Sequence, residues 1–337
     1  MVLLLSEVEK KRQQDTMATV EIESRQPRKR RRIVWDVAPS DIIQEYEPVA
    51  ESDVVERYVT PPNREDDREG HYVFSVGENL TPRYKILSKM GEGTFGRVLE
   101  CLDHQTKEHV AIKVVRSNSR YRGAAMIEID VLRHLAEHDN VGSHCVQIRS
   151  WFDYRNHVCI VFEKLGPSLY DVLKRNRYRP FPVDLVQEFG RQLLESIACL
   201  GWSYPCDLWG IGCILVELCS GRALFQTHEN LEHLAMMERV LGPLPQYMIQ
   251  KATRGAEKYF RQGSRLNWPE GAESRESSRA VQKLEHLEDL ISRHVNSSKS
   301  CLFIDLLYKL LRFDPSQRLT AKEALNHPFF KIKASTL

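Results

Sequence analysis

The chain has 337 residues with 42% apolar and 28% charged side chains, the profile of a soluble globular protein long enough for a two-lobed core. A formal net charge of +2 excludes nucleic-acid binding by bulk charge, so any basic partner surface is local. The 8 cysteines show no CxxC spacing, and the longest apolar run, Ile211 to Leu218, carries Glu217 and is too short for a bilayer; zinc ribbons, thioredoxin-like sites and membrane spans are not expected, and isolated thiols point to a reducing compartment.

Residues 1–69 read as a disordered tail. Met1-Val-Leu-Leu-Leu5 turns charged at once, leaving too few apolar residues for a signal-peptide core, and an intracellular protein is expected. The run Arg28-Lys-Arg-Arg-Arg32 is either a solvated charge patch or a nuclear import signal. Between Asp41 and Glu69 the sign reverses, with 10 acidic and 3 basic residues, and no helical or strand period is sustained.

From Tyr72 the texture changes. Tyr84 to Met90 alternates apolar and polar residues, as a strand does; Val98–Leu102 and His109–Val115 read as two more strands. Ala124 to Leu135 carries Ile127, Val131, Leu132 and Leu135 at helical spacing, and Val158–Phe162 reads as a buried strand. Helices are then predicted over about 182–200, with Leu185, Phe189, Leu193 and Ile197 on one face, and over 207–218, which is almost wholly apolar and therefore central in a core. Others follow at 230–241, 281–291, 301–312 and 320–326. Strands first and helices after predict an α+β fold with segregated lobes.

Gly91-Glu-Gly-Thr-Phe-Gly-Arg-Val98 fits GxGxxGxV between two predicted strands. Glycines there let the backbone close over phosphates and present N–H groups to negative oxygens. The dinucleotide-binding version needs a helix right after the glycines, and here a strand follows. Lys113, in Val-Ala-Ile-Lys on the next strand, is either a solvent-facing lysine or an ammonium within reach of a bound phosphate. Glu128 on the following helix is either an exposed carboxylate or the partner that aims it. Loop, lysine and glutamate together match the nucleotide cradle of kinases.

On these residues the chain from 84 to 330 resembles a eukaryotic protein kinase, in particular the plant members of the LAMMER (Cdc-like) dual-specificity group. The group's name string stands as Glu232-His-Leu-Ala-Met-Met-Glu-Arg239, which out of context also reads as an ordinary amphipathic helix with Leu231, Leu234 and Leu241 facing inward. Gly201-Trp-Ser-Tyr-Pro-Cys-Asp207, Phe225-Gln-Thr-His-Glu-Asn230, Arg312-Phe-Asp-Pro315 and His327-Pro-Phe-Phe330 agree with it. The resemblance implies a bilobal α+β kinase-like fold: an antiparallel-sheet N-lobe and hinge over 70–166, and a truncated helical C-lobe with the LAMMER insert region over 167–337. It implies that Phe162 is the gatekeeper, that Glu163 to Leu165 form the hinge, and that Met90, Val98 and Ala111 line the base. With Gly91, Glu92, Gly93, Thr94, Phe95, Gly96, Lys113 and Glu128 these make the ATP site. Mg2+ accompanies ATP in the family. Ser/Arg-rich splicing proteins are the implied substrates, the nucleus the implied location, and no membrane or direct nucleic-acid site is implied.

One block of the family pattern is missing. A kinase needs a catalytic-loop Asp to accept the substrate proton, an Asn for one metal and a DFG-type Asp for the other. In the family these lie between the helix ending near Leu200 and the helix starting near Asp207, an interval that here is Gly201 to Cys206. None of the 12 histidines has Asp two residues later, no aspartate has Gly two residues later, and there is no Ala-Pro-Glu. Loss of one contiguous block with both flanks intact resembles exon skipping or an imperfect gene model rather than gradual decay. No catalytic base or metal ligand is therefore assigned. Two function classes follow: a LAMMER-type transferase of the ATP γ-phosphate, impaired or inactive in this chain, or a non-catalytic ATP-binding or partner-docking isoform that competes with the full-length kinase. Asp207 and Arg318 resemble residues whose family partners lie in the lost block, so each is expected to be left without its ordinary partner, with low stability as the consequence.

Overall fold

A computed structural model describes residues 61–138, 144–199, 204–227, 229–261, 263–295 and 299–332. The basic run Arg28 to Arg32 and the junction at Leu200–Gly201 lie outside these residues. The described residues divide into two compact units, one running to residue 134 and including 146–165, the other made of 135–145 and everything from 166.

The first unit is built on five antiparallel strands: β1 (Tyr84–Gly93), β2 (Gly96–Asp103), β3 (His109–Val115), β4 (Ile148–Tyr154) and β5 (His157–Glu163), in the order β1-β2-β3-β5-β4. Helix α1 (Ser119–His138) lies between β3 and β4 in the chain. Period-two alternation sorts the strand residues onto two faces. Val98, Ala111, Val115, Val158, Ile160 and Phe162 pack with Ala125, Ile129 and Leu132 of α1. Leu99, Cys101, Val110, Ile112, Val114, Cys159 and Val161 point the other way, where Tyr72, Phe74 and Leu80 cover them. The segment before β1 is thus the second lid of the sheet. Its Gly77 N–H donates to the Ile86 carbonyl, and the Ile86 N–H donates to Glu78, which occupies the otherwise open edge of β1.

Residues 61–69, grouped by composition with the tail, are packed. Arg64 forks onto Glu78 at 2.7 Å through both nitrogens. The fully buried His157 holds Asp66 at 2.9 Å and the Val115 carbonyl at 2.6 Å. Arg155 donates to the carbonyls of Pro61 and Pro62. Composition favoured disorder because the segment has few apolar residues; ionic and hydrogen-bonded partners far along the chain anchor it instead. Strand β4 has no counterpart among the sequence-predicted strands, because a register shift between Ile148 and Ser150 breaks its alternation.

The second unit is helical: α2 (Leu169–Arg175), α3 (Val183–Cys199), α4 (Pro205–Ser220), α5 (Asn230–Leu241), α6 (Gln246–Gln250) and α7 (Arg254–Glu257), a short hairpin β6 (Phe260–Arg261) and β7 (Arg265–Leu266), then α8 (Arg275–Gln282), α9 (Leu287–His294), α10 (Ser300–Leu310), a 3-10 turn (Pro315–Gln317), α11 (Ala321–Leu325) and α12 (Pro328–Lys331). Helix α4 is central, as its composition requires, and packs on α3, α9 and α10. It ends at Gly221, whose φ of 74° and whose absent Cβ, which would stand 1.9 Å from the Tyr178 carbonyl oxygen, leave no room for another residue.

Two helix expectations are corrected. The buried stripe of α3 is Val186, Gly190, Leu194 and Ile197, while Leu185 is exposed. Gly190 lets Leu215 of α4 close in, with its Cδ2 only 3.0 Å from where a Cβ would stand. The helix predicted over 281–291 is two helices, α8 and α9. Val281 packs into the cluster around α5, and Leu287 and Ile291 are buried in α9; the break lets each end turn to its own core.

Candidate nucleotide site

The hairpin joining β1 and β2 carries the glycine motif. Gly93 pairs with Gly96 across the two-residue turn Thr94-Phe95, Glu92 with Arg97 and Gly91 with Val98. Glycine is obligatory at Gly96, where a Cβ would stand 2.1 Å from the Val114 carbonyl oxygen. At Gly91 and Gly93 a Cβ would meet nothing within 4 Å. Packing therefore explains the third glycine, while the first two leave their backbone open to an approaching group.

Lys113 faces Val98 on one side and Ile160 on the other, in the middle of the sheet on the α1 face. Glu128 rises from α1 to meet it, and the ammonium donates to both carboxylate oxygens at 2.8 and 2.7 Å. The pair is mostly shielded, with 14% and 27% of the two side chains exposed, so its charge-assisted bonds are worth more than those of a surface pair. The Phe95 ring lies 5.5 Å from the ammonium and meets Tyr121 of α1 edge-on at 5.7 Å. The Phe95 carbonyl accepts the Arg116 N–H at 3.0 Å, which pins the hairpin tip to the end of β3.

Ala111 pairs with Phe162 in the register of β3 and β5, and both are buried in the α1-side cluster, against which the half-buried Val98 packs. The Glu163 side chain accepts the Gln147 N–H at 2.9 Å. Lys164 pairs with Glu100 at 2.7 Å. Met90 and Leu165 are exposed, at 42% and 48%. The structure thus brings the hairpin, Val98, Ala111, Lys113, Glu128 and Phe162 together on one face, and leaves Met90 and Leu165 at its margins.

Sequence reasoning missed Arg97, which lies inside the motif and was read as a variable letter. Its Nε donates to Glu92 at 2.8 Å, and Nη1 and Nη2 donate to the Tyr72 carbonyl at 2.9 Å and to Asp67 at 2.8 Å. Bonds from Arg97 and then Lys89 hold the Glu92 carboxyl below its ordinary range. No periodicity in the chain links Asp67 to Arg97, so only the fold reveals this contact.

A phosphate chain fits this site: backbone is open at two glycines and a fixed ammonium stands below. Among the described residues no group of three or more His, Cys, Asp or Glu side chains is placed to hold a metal ion. The two residues expected to lose partners have found others. Arg318 donates to the carbonyls of Pro205, Arg312 and Phe313 and lies 5.1 Å from the Trp209 ring. Burial pulls its pKa below the usual guanidinium value. Asp207 sits in the first turn of α4 and accepts from Cys206 at 3.7 Å, where the helix dipole favours a negative charge.

The protein kinase domain model matches residues 84–201 and 195–330. The chain belongs to the protein kinase family. The two matched segments overlap at 195–201, where the chain passes from α3 toward Gly201-Trp202. Among kinases, it is 53% identical to the serine/threonine-protein kinase AFC3 of Arabidopsis thaliana, over 90% of this chain and 96% of that one. It is 50% identical to AFC1 of the same plant, over 92% and 89%. The human dual specificity protein kinase CLK4 is 36% identical over 80% and 70%. These relatives place the kinase in the LAMMER (Cdc-like) group. The AFC3 and AFC1 alignments run over 390 and 416 positions, longer than the 337-residue chain itself, so each contains positions with no residue here. The crystal structure of the PF14_0431 kinase domain superposes with a TM-score of 0.67 at 29% identity, covering 78% of this chain and 100% of that one.

In this LAMMER-group kinase the name string is structural. Ala235 and Met236 are buried with Leu231, Leu266 and Val281. Glu232 accepts the Thr227 hydroxyl at 2.6 Å, Glu238 the Leu244 N–H at 3.0 Å, and Arg239 donates to the Leu284 carbonyl at 2.9 Å. Of the three leucines that an ordinary amphipathic reading turns inward, Leu231 is buried, Leu234 is half-buried against the cluster and Leu241 is half-buried, while Met236 and Val240 share the buried stripe.

Proposed function

We propose that this chain binds ATP at the β1–β2 hairpin and Lys113 and transfers phosphate at no more than a background rate. The observation that carries the binding half is the Lys113 ammonium, held by both oxygens of Glu128 on the face shared with the open glycine backbone. Lysine so fixed neutralises phosphate charge without having to be ordered on binding. The inactive half rests on the sequence: with no His-x-Asp and no Asp-x-Gly, the general base and the metal-binding carboxylate are lacking. General-base catalysis contributes about 10²–10⁴-fold, and loss of preorganised charge stabilisation costs roughly 10²–10³-fold for each donor removed. The group's function implies Ser/Arg-rich splicing proteins as the substrates of the complete enzyme. Action in the nucleus rests on Arg28 to Arg32.

The test is a titration of the purified chain with a fluorescent ATP analogue, beside a phosphotransfer assay on a Ser/Arg-rich peptide with magnesium. Saturable binding that ATP displaces and Lys113→Met weakens is expected, with transfer at the buffer blank. Turnover in the ordinary kinase range of about 1–100 s⁻¹, abolished by Lys113→Met and hence not a contaminant's, would overturn the inactive reading. Absence of displaceable binding would overturn the binding half.

A further inference from the structure

The matched kinase domain begins at residue 84, yet the strap before it (residues 61–75) grips the glycine hairpin. Arg97 is the grip: one guanidinium joins Glu92, between the first two glycines, to Asp67 and the Tyr72 carbonyl of the strap. It is 18% exposed, and all three of its nitrogens are engaged. A second line runs in parallel. The Arg116 N–H holds the Phe95 carbonyl at the hairpin tip, the Arg116 guanidinium reaches Glu69 at 3.1 Å, and the Ser117 N–H donates to the Gly70 carbonyl at 3.0 Å. Asp67 is itself fixed, since its Oδ1 accepts the N–H groups of Glu69 and His71 at 3.0 and 2.9 Å. Two hairpin strands meeting at a two-residue turn, with nothing packed on Gly91 and Gly93, have little of their own to fix their height over Lys113.

We infer that the strap positions the glycine hairpin through Asp67 and Arg97, making Arg97 a positioning residue for the phosphate chain of the nucleotide. The inference rests on the ATP-binding reading for its effect on affinity, though not for its effect on the hairpin. The strap sets how far the backbone N–H groups of 91–96 stand from the Lys113–Glu128 pair. Releasing it therefore weakens contacts to phosphate while leaving contacts to the base and sugar alone.

Asp67→Asn tests it in the full chain. The amide keeps an oxygen for the Glu69 and His71 N–H groups and loses the charge that Arg97 needs. Arg64→Ala is the control: it breaks the fork to Glu78 and loosens the same strap without touching Arg97. Hydrogen exchange of the amides of Glu92 to Arg97, which needs no nucleotide, is expected to quicken in Asp67→Asn and not in Arg64→Ala. In ligand titrations Asp67→Asn is expected to lose roughly three- to tenfold in ATP affinity with adenosine affinity unchanged, and Arg64→Ala to match the parent for both. Equal exchange in all three chains, or equal loss of ATP and adenosine affinity in Asp67→Asn, overturns the positioning role. A parent chain that binds neither ligand overturns the ATP-binding reading, and the exchange pattern still decides the positioning.

Discussion

Lys113 and Gly96 stand on neighbouring strands and show two different reasons for a residue type. Lys113 is explained by what it can hold, since its ammonium is already fully directed by Glu128 and roofed by Phe95. Gly96 is explained by what surrounds it: the Val114 carbonyl oxygen occupies the place of a side chain. Gly96→Ala should cost about 1–3 kcal/mol through forced backbone movement, whereas Gly91→Ala, which meets open space, should leave stability within about 0.5–1 kcal/mol of the parent. Urea unfolding of both variants checks this, and equal midpoints would contradict the steric account. The motif letters announced Gly91, Gly93, Lys113 and Glu128 because each chemistry admits few residue types. Arg97 and Tyr121 were silent because their roles depend on partners, Asp67 and Phe95, that no local pattern names.

Helix α5 illustrates how an eight-residue string is used. Its buried side, Leu231, Ala235, Met236 and Val240, follows the 3.6-residue period, and its polar residues each satisfy a specific partner around the cluster. Met236→Ala should cost about 2–5 kcal/mol, the range for deleting a buried methionine side chain. Arg239→Ala, which is exposed and gives up one hydrogen bond to a carbonyl, should cost about 0.5–1.5 kcal/mol. Thermal melting of the two variants separates them; a larger loss at Arg239 would mean that the string acts through its charge and not through packing. Long helices with a strong period were legible from the chain alone, whereas α2, α6, α7 and α12 were not. Each has seven residues or fewer, too short to display a period; α2 is set by the reciprocal Ser168–Asp171 capping box and α12 by the His327 cap on the Phe329 N–H.

The molecule's response to pH follows from groups in both units. His71 is buried and its pKa is pushed down by that burial first and by Arg116 and Arg97 next. A histidine kept neutral when folded binds a proton on unfolding, so stability begins to fall as pH drops below about 6.5 and continues until the folded pKa is passed. Glu100 is held at about 2 by bonds from Lys164, His109 and Ser88. Its contribution, present above the unfolded value near about 4.3, is lost as pH falls from there toward 2. On the alkaline side burial lifts the thiols of Cys101 and Cys219 to about 12. They stay neutral when folded and ionise when unfolded, so stability declines above about 8.5. Melting temperature plotted against pH should therefore peak between roughly 6.5 and 8.5. His71→Gln should flatten the upper part of the acid limb, and an unchanged limb would show that another group controls it.

The amino-acid sequence by itself determined the α+β class, the order of strands before helices, the central apolar helix, the glycine motif with Lys113 and Glu128 as candidate site residues, and the absence of a catalytic-loop motif. These are local properties: a period, a residue type or a spacing states them without reference to anything distant. Only the tertiary structure decided that residues 61–80 close the far face of the sheet, that Arg97 ties this strap to the glycine hairpin, that Leu215 closes onto Gly190, and that Arg318 satisfies itself on backbone carbonyls. Each of these is a pairing between residues far apart in sequence. Such pairings depend on how faces and edges meet after folding, and a one-dimensional pattern carries no record of which distant group will complete a charge, a hydrogen bond or a packed surface.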